Sequence, residues 1–132
     1  MIELRAMTRD DIPAVVAIEE DLFEHDPWSS ELFHQELDEV PATREVWVAT
    51  ESERIVGYAS LRFVGAEGDI NTIAVARDVQ GTGVGRQLLD ELLSAAYGHG
   101  VRHLFLDVRS DNEPALAMYT KRGFERIDKR KN

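Results

Sequence analysis

Short stretches rich in apolar and β-branched residues recur along the chain, several of them alternating with polar residues, and each predicts a strand. They lie at residues 2–7, 45–50, 55–64, 69–75, 102–108 and 124–127. Short polar turns join the second, third and fourth of them. This spacing predicts an antiparallel meander in the middle of the chain.

Apolar residues spaced three and four apart predict helices between these strands. The clearest stripe runs from Val84 to Ala96. It predicts a long helix that begins at Gly83 and ends near Gly98 or Gly100, two residues suited to a left-handed cap.

Three further helices are predicted from their N-terminal caps. Asp10 is expected to cap the first, with Pro13 in its first turn, and Ser29 the second. Asn112 is expected to cap the last helix, which ends at Gly123.

The resulting order is β-α-α-β-β-β-α-β-α-β, which predicts a single α/β domain over residues 1–132, with helices on both faces of a mixed sheet. Residues 70–108 form a strand–helix–strand unit, so its two strands should run parallel. Ligands of such sheets bind at the carboxyl ends of the strands. In this chain, the carboxyl ends of the two parallel strands are at residues 75 and 108, so a ligand is expected beside them.

Residues 80–85, named here the glycine loop, contain Gly81, Gly83 and Gly85 between a strand and the long helix. Glycines let the backbone approach a ligand closely, and a helix N-terminus favours an anion such as a diphosphate. The spacing does not match a nucleoside-triphosphate P-loop or the dinucleotide fingerprint. A plain turn between two core elements is the alternative.

Composition narrows the function further. The net charge is −10, from 25 acidic and 15 basic residues, which makes nucleic acid an unfavourable ligand and favours a cationic substrate. There is no cysteine, so disulfides, thiolate metal sites and a cysteine acyl-enzyme are excluded. No apolar run approaches the ~20 residues that span a bilayer. We expect a cytoplasmic protein that does not bind membranes.

The glycine loop carries the pattern Gln-x-x-Gly-x-Gly, formed by Gln80, Gly83 and Gly85 behind a strand ending Ile-Ala-Val. This resembles the acetyl-CoA-binding motif of the GNAT N-acetyltransferases. Four further segments resemble the RimI branch of that family, at residues 21–29, 71–75, 106–119 and 121–125. The resemblance implies a GNAT fold with acetyl-CoA as cosubstrate. It also implies acetylation of a protein N-terminus, in that branch of a small-subunit ribosomal protein.

By position, the resemblance implies that the backbone of Ile73, Ala74 and Val75 pairs with the pantetheine arm and the acetyl carbonyl. Backbone N–H groups of the next segment would surround the diphosphate. That segment comprises Gly81, Thr82, Gly83, Val84, Gly85 and Arg86. Asn112 would bond the cofactor, a role compatible with capping its helix.

The resemblance also implies two catalytic residues. Tyr119 would donate a proton to the departing CoA thiolate, and its alternative role is a packed helix aromatic. Asp107 stands where the family typically has Glu, so as general base it would reach the amine through a water. A structural role for Asp107 stays open. Glu67 and Asp69 are substitutes for it, although strand direction puts them farther from the cofactor end.

Residues 23–28 would line the acceptor groove in this family. Glu24, Asp26 and Glu31 are placed to attract positive charge on a peptide. The alternative for Trp28 is the core. The four histidines show no metal-ligand spacing, so no metal is predicted; they are His25, His34, His99 and His103.

Family members usually continue with one more strand after the region that ends at Asn132. The resemblance therefore leaves two alternatives, a sequence trimmed before that strand or a sheet edge filled by another chain, since an open edge invites pairing. We expect a monomer or a weak dimer.

Two other functions stay open. A small-amine acetyltransferase, of the polyamine or aminoglycoside type, would have a closed acidic pocket. A non-catalytic acetyl-CoA-binding protein would bind the cofactor without turnover.

Overall fold

The computed structural model describes residues 1–106, which contain five strands, three helices and two short 3-10 turns. The elements in chain order are β1 Ile2–Ala6, a turn at Arg9–Asp11, α1 Ile12–Leu22, α2 Ser30–Asp38, β2 Arg44–Glu51, β3 Arg54–Val64, β4 Glu67–Val75, a turn at Arg77–Val79, α3 Val84–Gly98 and β5 His103–Leu106. The predicted order of elements is confirmed over this part of the chain.

The strands form one sheet in the order β1-β2-β3-β4-β5. The first three pairs of neighbours are antiparallel, and β4 and β5 are parallel. The mixed sheet and its parallel pair were both predicted. Strand β4 starts two residues earlier than predicted, because the backbone of Gly68 pairs with both Phe63 and Leu104.

Two apolar cores lie on opposite faces of the sheet. On one face, α3 contributes Val84, Leu88 and Leu92, which pack with sheet residues such as Leu61 and Ile70. On the other face, α1 and α2 pack against sheet residues. That second core contains Met7, Ile12, Val15, Phe33, Val46, Val48, Tyr58 and Ala74. The prediction of helices on both faces is therefore confirmed.

The caps of the first two helices were predicted with unequal success. Ser29 caps α2, since its Oγ accepts a hydrogen bond from the Leu32 N–H at 3.1 Å. Asp10 does not cap α1, because a 3-10 turn precedes that helix. Asp11 instead accepts the N–H of Thr8 at 2.8 Å. Helix α1 thus begins at Ile12 with Asp11 at its N-cap position, one residue later than the sequence suggested.

A bulge interrupts β4 at Asn71. Thr72 pairs with Ser60 and Ile70 pairs with Leu61, so Asn71 is the extra residue of the strand. A bulge changes which face the following side chains take. Ile70 accordingly packs on the α3 face, and Ala74 packs on the face of α1 and α2.

Within residues 1–106, none of the helices combines the length and apolar character that crossing a membrane requires.

Candidate active site

The glycine loop is tied back to the strand that precedes it. The Gln80 side chain donates from Nε2 to the carbonyl of Val75 at 3.0 Å. The Thr82 hydroxyl donates to the carbonyl of Val79 at 2.6 Å. These bonds fix the path of the chain between the end of β4 and the start of α3.

Two glycines of this loop take backbone conformations that other residues rarely adopt. Gly81 has φ +83° and Gly83, which directly precedes α3, has φ +98°. The first turn of a helix leaves its N–H groups without intrahelical acceptors. The N–H of Gln87 bonds to the carbonyl of Gly83 at 3.0 Å. The amides of the three residues between them therefore have no acceptor within the helix.

The start of α3 lies close against the sheet because Gly57 has no side chain. A Cβ at Gly57 would stand 3.0 Å from the carbonyl oxygen of Ala74 and 3.1 Å from a methyl group of Leu88. It would also stand 3.3 Å from Val84. The glycine in β3 thus fixes the distance between the end of β4 and the helix N-terminus.

Two acidic residues beside the loop are paired with arginine. Arg54 bonds Asp78 at 2.9 Å, and Arg77 bonds Asp21 at 2.9 Å. The hydrogen bond from Arg54 holds the pKa of the Asp78 carboxyl below its ordinary value. Arg86 is exposed on the first turn of α3. The approach to the loop is therefore less acidic than the net charge of the chain suggests.

The last residues of β4 lie directly before this loop. Ile73, Ala74 and Val75 pair along one edge with β3, opposite Ala59, Tyr58 and Gly57. Along the other edge, β4 pairs with β5 from Glu67 to Ile70, where the described chain ends at Leu106. Asp107, Asn112 and Tyr119 lie outside residues 1–106, so their roles stay predictions.

The substitutes for the general base lie at the opposite end of β4. Glu67 is its first residue and pairs with His103. Asp69 bonds Arg62 at 3.2 Å and pairs with Phe105. Both residues therefore lie at the start of β4, as the direction of the strand predicted, and not at the end that leads into the glycine loop.

The loop between α1 and α2 is fixed by Glu19, which is fully buried. Its carboxylate accepts the N–H of Trp28 at 2.9 Å and the hydroxyl of Tyr58 at 2.5 Å. The Trp28 ring is half-buried and packs on Phe33, with centroids 5.3 Å apart. Trp28 therefore borders the core, and its backbone is held by a carboxylate.

Two buried carboxylates, Glu19 and Glu36, were not identified as site residues from the sequence. Both stand on the apolar face of a helix, Glu19 four residues after Val15 and Glu36 three residues after Phe33. An acidic residue in such a position needs a partner inside the protein. That conflict between pattern and polarity was the available clue.

The exposed acidic residues predicted near the acceptor lie in or beside the same loop. Glu24, Asp26 and Glu31 are all exposed. His34 is half-buried and bonds Arg9, and His99 bonds Glu45. Among residues 1–106, no group of three histidine or acidic side chains is arranged to hold a metal ion.

Comparison with known proteins places this geometry in context. The acetyltransferase (GNAT) family model matches residues 12–124. The N-alpha-acetyltransferase RimI of Mycobacterium tuberculosis is 38% identical over an alignment of 135 residues that covers 98% of this chain and 82% of that protein. The ribosomal protein bS18-alanine N-acetyltransferase of Escherichia coli K12 is 30% identical over 132 residues, which cover 100% of this chain and 86% of that protein.

Comparison of the fold with solved structures also finds a ribosomal-protein-alanine N-acetyltransferase. The crystal structure of the ribosomal-protein-S18-alanine N-acetyltransferase from Escherichia coli superposes with a TM-score of 0.84 at 29% identity. The match covers 96% of this chain and 79% of that one. The family-model match and these relatives show that the chain belongs to the acetyltransferase (GNAT) family.

Proposed function

We propose that this protein transfers the acetyl group of acetyl-CoA to the N-terminal α-amine of a protein. The observation that carries the proposal is likeness along nearly the whole chain to enzymes named RimI or ribosomal protein bS18-alanine N-acetyltransferase. The acceptor we propose is a small-subunit ribosomal protein that begins with alanine. Such a substrate is made in the cytoplasm, so we propose that location for the enzyme.

In this proposal, the diphosphate of CoA binds the amides of the glycine loop and the first turn of α3. The positive φ of Gly81 and Gly83 and the N–H groups at the start of the helix support this role. The backbone of Ile73, Ala74 and Val75 would pair with the pantetheine arm. Asn112 would add a polar contact to the cofactor.

The reaction is direct attack of the amine on the thioester, with both substrates bound together. No cysteine is present in the chain to form an acyl-enzyme. Strand N–H groups near Ala74 would stabilise the oxyanion. Tyr119 would protonate the CoA thiolate, and its ordinary pKa of about 10 suits a donor at neutral pH.

An N-terminal amine needs little from its general base. Its ordinary pKa of about 7.7–8.0 leaves roughly a tenth to a fifth of the amines neutral at pH 7. A lysine amine near 10.4 is neutral only about once in a few thousand. Asp107 acting through a water is therefore sufficient in this proposal, because positioning of the free amine supplies much of the rate.

The test is acetylation of matched peptides. The protein and acetyl-CoA are given a peptide that begins with Ala and contains an internal lysine, and the same peptide with a blocked N-terminus. Mass spectrometry with fragmentation should place one acetyl group on the free N-terminus and none on the blocked peptide. Acetylation of the internal lysine alone, or only of a polyamine supplied in a parallel reaction, would contradict the proposal. Acetyl-CoA binding without turnover on any amine would favour a non-catalytic binding protein.

A further inference from the structure

The carboxylate of Glu36, on α2, joins side chains from three strands. Glu36 is 7% exposed, and its Oε1 accepts from Ser60 Oγ at 2.6 Å and from Asn71 Nδ2 at 3.2 Å. The Nε of Arg44 lies 3.2 and 3.1 Å from the two carboxylate oxygens. One side chain each from β2, β3 and β4 is therefore held by a single carboxylate.

Stability alone does not explain this cluster. An ion pair removed from water pays a large desolvation cost, and apolar residues of similar volume often serve the fold as well. Glu36 stands on the helix face that also carries Phe33, which packs in the apolar core. A leucine there would fit the pattern of the helix. What Glu36 adds is a fixed position for the polar groups that it contacts.

The contact of most consequence is the one with Asn71. This residue is the bulge of β4, and it directly follows Ile70, the last residue shown paired with β5. Residues 73–75 begin two positions later. Because the bulge decides which face the later side chains take, the position of Asn71 sets the position of the strand segment that follows.

We propose that Glu36 is a positioning residue of the acetyl-transfer site, acting through Asn71. This inference rests on the proposed function, in which residues 73–75 hold the pantetheine arm and the acetyl carbonyl. Glu36 fixes those residues relative to α2, on the face of the sheet where Trp28 and the rest of the loop between α1 and α2 lie. Displacement of the acetyl group by a fraction of an ångström slows attack by the amine. The amides of the glycine loop, which follow β4 and would bind the diphosphate, do not depend on Glu36.

Two variants separate positioning from stability. Asn71→Ala removes the contact with the bulge and leaves the Glu36–Arg44 pair. Ser60→Ala removes the shorter bond, which is fully buried. We expect Ser60→Ala to lower the melting temperature more, because its bond is shorter and more buried. We expect Asn71→Ala to lower kcat about tenfold, while Ser60→Ala keeps kcat within about threefold.

Glu36→Gln tests the carboxylate itself against a matched control. In glutamine an amide nitrogen replaces one carboxylate oxygen and opposes the Nε of Arg44, which bonds both oxygens of Glu36. The cluster therefore loses its ion pair, and kcat should fall at least as far as in Asn71→Ala. The KM for acetyl-CoA should stay within about threefold, since the glycine loop is intact. Glu39→Gln removes an exposed carboxylate at the end of the same helix and should leave kcat unchanged.

Each outcome decides the matter. Activity that follows melting temperature across the four variants would overturn the inference and make Glu36 a structural residue. A fully active Asn71→Ala protein would do the same, even if Glu36→Gln fails to fold. Absence of turnover by the wild-type chain on every peptide would overturn the proposed function, and this inference with it.

Discussion

At the scale of single side chains, buried acidic residues fix the face of the sheet that carries α1 and α2. Asp11, Glu19 and Glu36 each accept hydrogen bonds from a backbone N–H or from the side chain of another element. Within residues 1–106, no buried side-chain nitrogen or oxygen lacks a partner. Carboxylates in such positions fix loops and strands to the helices, because leaving them unpaired would be costly.

Asp11→Asn should destabilise the protein by about 1–2 kcal/mol at neutral pH, through loss of the ion pair with Arg5 and of a charge-assisted cap. The hydrogen bond from Arg5, at 2.7 Å, lowers the pKa of Asp11 to about 2 from its ordinary 3.8. A lowered pKa means that this stabilisation is complete above about pH 4 and is lost as the pH falls toward 2. Urea unfolding across pH measures the difference.

The matched control is Asp10→Asn, because Asp10 is an exposed neighbour. It should change stability little at any of these pH values. A constant difference between the wild-type protein and Asp11→Asn from pH 7 down to pH 2 would contradict the role given to Asp11.

Some of these residue contacts could be predicted from the sequence, and others could not. Ser29 precedes a clear helical pattern, so its cap was predicted. The Asp11 contact depends on Arg5 in β1 and on a 3-10 turn, neither of which leaves a periodic pattern. Glu36 depends on partners 8 to 35 residues away in the chain.

At the scale of elements, the join between β4 and α3 defines the candidate cofactor site. Gly83, the residue directly before α3, has φ +98°, and Gly57 lets the helix lie close to the sheet. The strand–loop–helix unit and its parallel partner followed from apolar spacing and handedness. The bulge at Asn71 did not, because it depends on the register between β3 and β4, which a single strand's pattern does not specify.

Gly83→Ala should weaken CoA binding and destabilise the fold by about 1–2 kcal/mol, since an L-residue resists the left-handed conformation. Gly98→Ala, at the other end of α3, is the control. Gly98 has no neighbour within 4 Å of an added Cβ and no positive φ. It should stabilise the protein by about 0.5–1 kcal/mol and leave CoA binding unchanged. Thermal unfolding and calorimetry measure both effects, and equal CoA affinity in the two variants would contradict the assignment of the loop.

At the scale of the whole molecule, the proposed cofactor site and the proposed acceptor site lie on opposite faces of the sheet. The glycine loop and α3 lie on one face, and α1, α2 and the loop between them lie on the other. The net charge of −10 favours a basic acceptor, while paired arginines keep the loop region less acidic. The catalytic assignments to Asp107 and Tyr119 lie outside residues 1–106 and stay predictions.

This division of charge predicts a salt effect on the acceptor. The KM for a peptide that begins with Ala and carries several arginines should rise several-fold on addition of about 0.5 M NaCl, because salt screens attraction to the acidic surface. The same peptide with glutamine in place of arginine should show little change. Steady-state kinetics measures both, and identical salt responses would remove the acidic surface from acceptor recognition.

Calorimetric titration of the folded protein with CoA measures directly whether the start of α3 holds the cofactor. We expect saturable binding at one site per chain, displaced by acetyl-CoA and weakened in Gly83→Ala. Absence of binding by correctly folded protein, or equal binding by Gly83→Ala, would contradict a cofactor site at the start of α3.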